Sequence, residues 1–302
     1  MLFIINAAFR GAGDATVAMR TLIFANTFNM LLGPCLIFGL GPFPKLGVEG
    51  AAIATTTGRS LGVLYQLYRL ARHSRHLRVG RSHIEINLGV MRRLLSLSGA
   101  GTLQHFVSTA SWIGTTRLMS SFGAVAVAGY TIGIRVIIFG LLPCWGIANA
   151  AATLVGQSLG AKNPERARQS VWRAGFINCC VMGLVGLCFV LFPGPIASFF
   201  TDDPAVRDIA TSCLRIIASG YLFYAYGMVF SQAFNGAGDA WTPMFLNIVC
   251  FWCGQLPAAW ILAKYSPLGI VGVPLAVTLA FSFHAIAGGL LFRRGTWARR
   301  VV

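Results

Sequence analysis

Charged side chains are scarce in this sequence. Asp, Glu, Lys and Arg together make up 11% of 302 residues, and only 8 of them are acidic. A soluble domain coats itself with about twice that share, so a soluble globular protein is excluded. Apolar and polar residues nowhere alternate with period two over a spanning length, which excludes a transmembrane barrel. Paired cysteines beside a polar loop are also missing: Cys35, Cys144, Cys179, Cys180, Cys188, Cys213, Cys250 and Cys253 all lie in apolar runs. Cys250-Phe-Trp-Cys253 has redox or metal spacing, but no second Cys or His pair completes a site, so the thiols read as membrane-buried and no metal is expected. The opening nine residues lack the basic start and small-residue cleavage site of a signal peptide. As a helix they rise about 14 Å, half of a hydrocarbon core of about 30 Å.

What fills the chain is apolar: 56% hydrophobic residues, with 35 glycines besides. Eight stretches are long enough to cross a bilayer, at 16–40, 47–70, 94–119, 122–156, 171–193, 209–234, 242–264 and 268–292. All are rich in Gly, Ala and Leu, which suits helices packing closely in lipid. The net charge of +16 would point to nucleic acid in a soluble chain. Here the basic residues fall between apolar runs and build no basic face, so no nucleic-acid partner is expected and the lipid bilayer is. The segments before residue 21, 69–93, 157–173 and the tail from Arg293 hold 17 Lys/Arg, against four in the alternate loops: Lys45, Arg117, Arg207 and Lys264. The first set, with the C-terminus, is therefore cytoplasmic.

Gly11-Ala12-Gly13-Asp14 recurs as Gly236-Ala237-Gly238-Asp239, with Phe9 and Phe234 before and Met19 and Met244 after. Six spans separate the copies, so both face one side, and the charge bias makes that side the cytoplasm. "LGVEGAAIA" (46–54) likewise resembles "LGIVGVPLA" (268–276) at nearly the same offset. The expected fold is an all-α polytopic membrane bundle of two parallel six-helix lobes related by an axis along the membrane normal. Residues 1–80 form the remnant of the first lobe and a basic linker. Residues 81–302 form a complete second lobe and a basic tail. This gives eight full transmembrane helices plus an N-terminal half-helix, with roughly 140 residues of the first repeat unaccounted for. Pro34 and Pro257 sit inside the helix after each repeat and are expected to kink it. The repeated glycines allow positive φ and Asp14 and Asp239 can cap the following helices, so both copies read as structural corners.

Together "FRGAGDATVAM", "FNGAGDAWTPM", "GVEGAAIAT" (47–55) and "LVGQSLGAKNPERA" (154–167) resemble the motifs of the multidrug and toxic compound extrusion (MATE) transporters. In that family the first two match the turn between the fourth and fifth helices of each lobe. The last, with Gly156, Gln157 and Gly160, matches the loop after a lobe's second helix. The resemblance implies two lobes facing across a central cavity in a bacterial inner membrane. It also implies export of amphipathic, often cationic, small molecules by a monomer that exchanges them for H⁺ or Na⁺ and needs no other cofactor.

Ion coupling calls for a carboxylate within the membrane, and none of the eight acids lies well inside a span. The family's fifth helix often reads Asn-x-x-Leu-Asp-Pro; here Asn29 remains but Gly33 stands at the Asp position. Asn29 and Thr55 are left as candidate oxygen ligands, with interhelical hydrogen bonding as the alternative. Arg59 and Arg135, each about ten residues into a span, should face a cavity or pair with a carbonyl or an acid. Gln104 and His105 lie midway along 94–119; His105 and His284 could relay protons, or serve as packed hydrogen-bond partners. Tyr221, Phe223, Tyr224 and Tyr226 crowd one helix, divided between a drug-binding cavity and an interfacial belt. Two rivals remain. "GQSLG" (156–160) matches a hydrolase nucleophile elbow, with His284 as base, but charge places Ser158 in a cytoplasmic loop. A lipid-linked oligosaccharide flippase would share the two-lobe plan and favour the arginines. A third reading is that the chain transports nothing by itself, since its first lobe keeps only two full helices and leaves the cavity open to lipid.

Overall fold

The computed structural model describes residues 1–72 and 87–299. Arg75, Arg78, Arg81 and Arg300 of the charge assignment lie outside them. Every regular element among the described residues is helical, as lipid demands where unpaired backbone groups find no water. The chain divides into two compact units, Met1–Asn87 and Leu88–Val302.

The first unit holds α1 (Leu2–Gly11), α2 (Ala15–Phe38) and α3 (Val48–Arg72). Along α3, every fourth residue turned toward α2 is small. A Cβ on Gly50 would stand 2.5 Å from the Leu36 carbonyl oxygen, and one on Gly58 2.7 Å from that of Ala25. Ala54 between them is buried. Lipid tails are as apolar as leucine, so such close backbone packing supplies the association that the hydrophobic effect gives in water. α2 continues unbroken through Pro34, which leaves the Met30 carbonyl without its usual amide partner.

The second unit holds α4 (Leu88–Ser120), α5 (Ala124–Gly160), α6 (Pro164–Leu191), α7 (Pro193–Ser198), α8 (Pro204–Ser219), α9 (Tyr221–Gly236), α10 (Trp241–Asn247), α11 (Leu256–Lys264) and α12 (Gly272–Arg293). Its core lies where α5, α6, α8, α9 and α12 meet, around Leu141, Val171, Leu214, Tyr221 and Val229. Between α10 and α11, residues Ile248–Gln255 form a π-helix. This π-wound stretch ends two residues before Pro257, where the sequence leads one to expect a kink. Pro257 has no N–H to donate and its ring crowds the carbonyl four residues earlier, and the wider winding relieves both.

Among the described residues, five helices are long and apolar enough to cross a membrane, six when the bent pair α8–α9 counts as one span. The remaining two expected spans, α3 and α4, are helices of 25 and 33 residues. They are long enough but more polar, with Thr55, Thr56, Thr57 and Arg59 on one and Ser108, Thr109 and Ser111 on the other.

The duplicated corner is the same object twice. Asp14 N–H donates to the Phe9 carbonyl at 2.9 Å and Gly13 N–H to that of Arg10 at 3.0 Å; Asp239 donates to Phe234 at 2.9 Å and Gly238 to Asn235 at 3.1 Å. These are the paired bonds of a Schellman ending, with Gly13 at φ 90° and Gly238 at φ 76° as its left-handed residue. The aspartates then start the next helices. Asp14 accepts from Val17 N–H at 3.3 Å, and Asp239 accepts from the amide and hydroxyl of Thr242 at 3.2 and 2.7 Å. In the second copy the residue flanking the helix is Ala240, so Asp239 sits one position further out than the cap expected of it. The third motif also differs from expectation. Gly156, Gln157 and Gly160 belong to the last turns of α5, and the chain reverses only at Ala161–Asn163, where Lys162 takes φ 55° and Asn163 caps α6 through Arg166 N–H.

Gly58→Val should cost about 1–3 kcal/mol by overpacking the α2–α3 crossing, read as a lower unfolding midpoint in mixed micelles. An unchanged midpoint would contradict the close approach.

Candidate functional site

The expected span 209–234 is two helices, α8 and α9, meeting at 60°. The break falls at Gly220, whose N–H turns to the Ile217 carbonyl at 3.1 Å instead of that of Ile216. The Ile216 oxygen is recovered by hydroxyls: Ser219 donates to it at 2.6 Å, and Thr278 of α12 lies 3.1 Å away, sharing its proton with the Pro274 carbonyl at 3.0 Å. Hydroxyl rescue of freed carbonyls is what allows a helix to break inside lipid. Any side chain at Gly220 would press on Thr278, whose Cγ2 stands 2.7 Å from a Cβ placed there. α12 therefore seats itself in the elbow.

The elbow opens a narrow, partly open cleft between α4, α5, α8–α9 and α12, where about 390 Å³ is free of atoms with the adjoining open solvent included. Trp112, Tyr221, Tyr224 and Phe281 give it aromatic walls, Ile137 its floor and Thr278 its hydroxyl, and no charged side chain lines it. Tyr221 is anchored by its hydroxyl on the Ile137 carbonyl at 3.5 Å. Tyr224 meets Phe281 edge to face at 4.3 Å between centroids. Such walls suit a flat apolar body and attract a delocalised cation through their faces.

The other expected residues are dispersed. Asn29 and Thr55 do meet: Asn29 Nδ2 donates to Thr55 Oγ1 at 2.9 Å, and that hydroxyl donates to the Ala51 carbonyl at 2.9 Å. The pair is an interhelical bond between α2 and α3, with Asn29 Oδ1 as its uncommitted oxygen. Gly33 has nothing within 4 Å of where a Cβ would stand. Arg59 and Arg135 are exposed and find neither carbonyl nor acid; the single ion pair among the described residues is Arg168–Glu165. Arg215, on α8, is a third exposed arginine within a span that the sequence reading passed over. Gln104 contributes its backbone, whose carbonyl accepts from Ser108 Oγ at 3.0 Å and lies 3.4 Å from Asn247 Nδ2. His105 is exposed, whereas His284 is buried with its Nε2 unpartnered, so neither is the packed hydrogen-bond partner expected. Of the aromatics, Tyr221 and Tyr224 reach the cleft, Phe223 is exposed, and Tyr226 packs on Trp172 and Phe230. Ser158 lies in α5 rather than a loop and is 1% exposed. It is set on no strand-to-helix turn, which removes the geometric basis for a hydrolase. Among the described residues no cluster could hold a metal ion.

A polytopic helical membrane bundle with broken and π-wound spans is the class this architecture defines. The MatE family model matches residues 102–261, more than half of the chain, and the chain belongs to that family. It is 29% identical to the "Probable multidrug resistance protein NorM" of Thermotoga maritima, over all of this chain and 65% of that protein. It is 24% identical to the "FAD transporter" of Shewanella oneidensis, over 97% of this chain and 65% of that one. A crystal structure of MATE in the straight conformation superimposes with a TM-score of 0.89 at 24% identity, over 97% of this chain and 65% of the other. The chain thus spans just under two thirds of the length of these relatives.

A double-mutant cycle on Asn29→Ala and Thr55→Ala should give a coupling of about 0.6 kcal/mol in unfolding free energy, and at most about 1.7. Additive single effects would mean the bond is not formed.

Proposed function

We propose that the chain works within a secondary active exporter that carries amphipathic, cationic small molecules outward in exchange for H⁺ or Na⁺. It would act as a monomer in a bacterial cytoplasmic membrane, with its C-terminus in the cytoplasm. The observation that carries this reading is the elbow cleft, an aromatic space between membrane helices with no charged side chain in its lining. Such a space holds a ligand by shape and ring contact. The multidrug resistance name of the Thermotoga maritima relative supports the same reading.

A second reading, translocation of an anionic lipid-linked sugar, is favoured by Arg59 and Arg135, exposed and without ion pairs. It requires that Arg59→Gln with Arg135→Gln abolish translocation of such an anion while leaving ethidium handling intact.

For the exporter, ethidium accumulation should fall in cells stripped of their own pumps when they express this chain, or the chain extended to the full length of its relatives. Tyr224→Ala or Phe281→Ala should weaken ethidium binding about two- to tenfold, the range of one aromatic contact. Unchanged accumulation with both proteins would overturn the proposal.

A further inference from the structure

His284 lies midway along α12, 6% exposed, with no hydrogen-bond partner on Nε2. A buried polar atom without a partner is costly, and each instance in a native fold calls for a reason. Its surroundings are aromatic and small. Phe251 of the π-helix stacks on the imidazole at 5.4 Å between centroids and 14° between planes. Gly227 of α9 approaches so closely that a Cβ there would stand 3.2 Å from His284 Nδ1. Cys250 packs with Phe251 and Ala280 in the same layer, and Tyr224 lies beyond Phe281; the same elements also carry Tyr221 and Tyr226 on α9, Cys253 on the π-helix and Arg293 on α12. No charged side chain among the described residues forms an ion pair with His284.

The rings continue to the cleft. Phe251 meets Phe281 at 4.9 Å, and Phe281 meets Tyr224 at 4.3 Å; the last two form cleft wall. One titratable group is therefore joined to the cleft by unbroken ring contacts, and the first ring of the series sits on the π-wound stretch. π-helical turns are a recurrent site of functional rearrangement in helices.

We propose that His284 is a proton-binding group of the second unit and that its protonation opposes binding of a cation in the elbow cleft. Histidine alone among side chains changes charge in the ordinary range of pH without special tuning. Burial without a charged partner disfavours an imidazolium, and the Phe251 face offsets part of that cost through a cation–π contact. The imidazolium would also repel a cation held two rings away in a medium of low dielectric. Linkage is reciprocal: a proton that weakens cargo binding is itself released when cargo binds. His284 would thereby supply an exchange of proton for cargo without a carboxylate in this unit. The inference rests on the reading of the cleft as a cargo site.

The test is ethidium affinity of the purified chain in nanodiscs at pH 5.5 and pH 8.0, ethidium being a permanent cation across that range. Wild type should bind about tenfold more weakly at the lower pH, while H284N and H284Q should hold one affinity at both; H105N should behave as wild type. A wild-type shift that persists in both His284 variants overturns the proposal, as does the absence of any shift. If ethidium does not bind, or binds equally well in Y224A and F281A, it is the cleft reading that fails. Proton binding is then judged on dye-free protein by the pH titration of tryptophan fluorescence from Trp112 and Trp252. A transition lost in the His284 variants supports it, and an unaltered one overturns it.

Discussion

The structure depends on one constraint: inside lipid, each carbonyl or amide released from a helix must find another partner. At the elbow that partner is a hydroxyl, from Ser219 and from Thr278 across the helix pair. Ahead of Pro257 the backbone solves the same problem alone by rewinding over Ile248–Gln255. At the two corners, the Schellman bonds and the aspartate caps complete the accounting. The elbow, the π-wound stretch and the two corners are where these membrane helices depart from regularity, and the cleft opens at one of them.

The repeat shows how a conserved local geometry serves different surroundings. The two corners share their hydrogen bonds and their left-handed glycine. Gly11, however, has nothing within 4 Å of a Cβ, whereas a Cβ on Gly236 would collide with the backbone of Ala152 on α5. Gly156, one turn along α5, lies against the Gly236 carbonyl, 3.2 Å from where its own Cβ would be. Two motifs that are far apart in sequence, Gly-Ala-Gly-Asp and Gly-Gln-x-Leu-Gly-Ala, thus meet at one helix crossing. Their glycines answer to a close approach of backbones as much as to a turn.

Much of the helical layout was legible in the sequence, because length, apolar continuity and glycine position act locally. The corners were legible because Gly-x-Gly-Asp carries both the left-handed residue and the cap. The elbow was not. Gly220 lies in an apolar run with no proline beside it, and what fixes the break is Thr278, 58 residues further on, whose hydroxyl looks like any other in a glycine-rich helix. The π-helix was half legible: Pro257 announced a disturbance but not its form. Of the candidate site residues, Asn29 and Thr55 were singled out as oxygen ligands or interhelical hydrogen-bonding groups, and their side chains are bonded to each other. The arginines illustrate the limit. Position along a span says how deep a charge lies, and nothing about which way it points; Arg59, Arg135 and the overlooked Arg215 are all exposed.

The account stands on the two corners being equivalent parts of a duplicated bundle, each at the cytoplasmic face. Single cysteines placed at Asp14 and Asp239 in a protein freed of its native thiols, probed in intact cells and in inverted vesicles with a membrane-impermeant maleimide, measure this directly. The account predicts that both are labelled only in inverted vesicles. Labelling of one from each side of the membrane would contradict it.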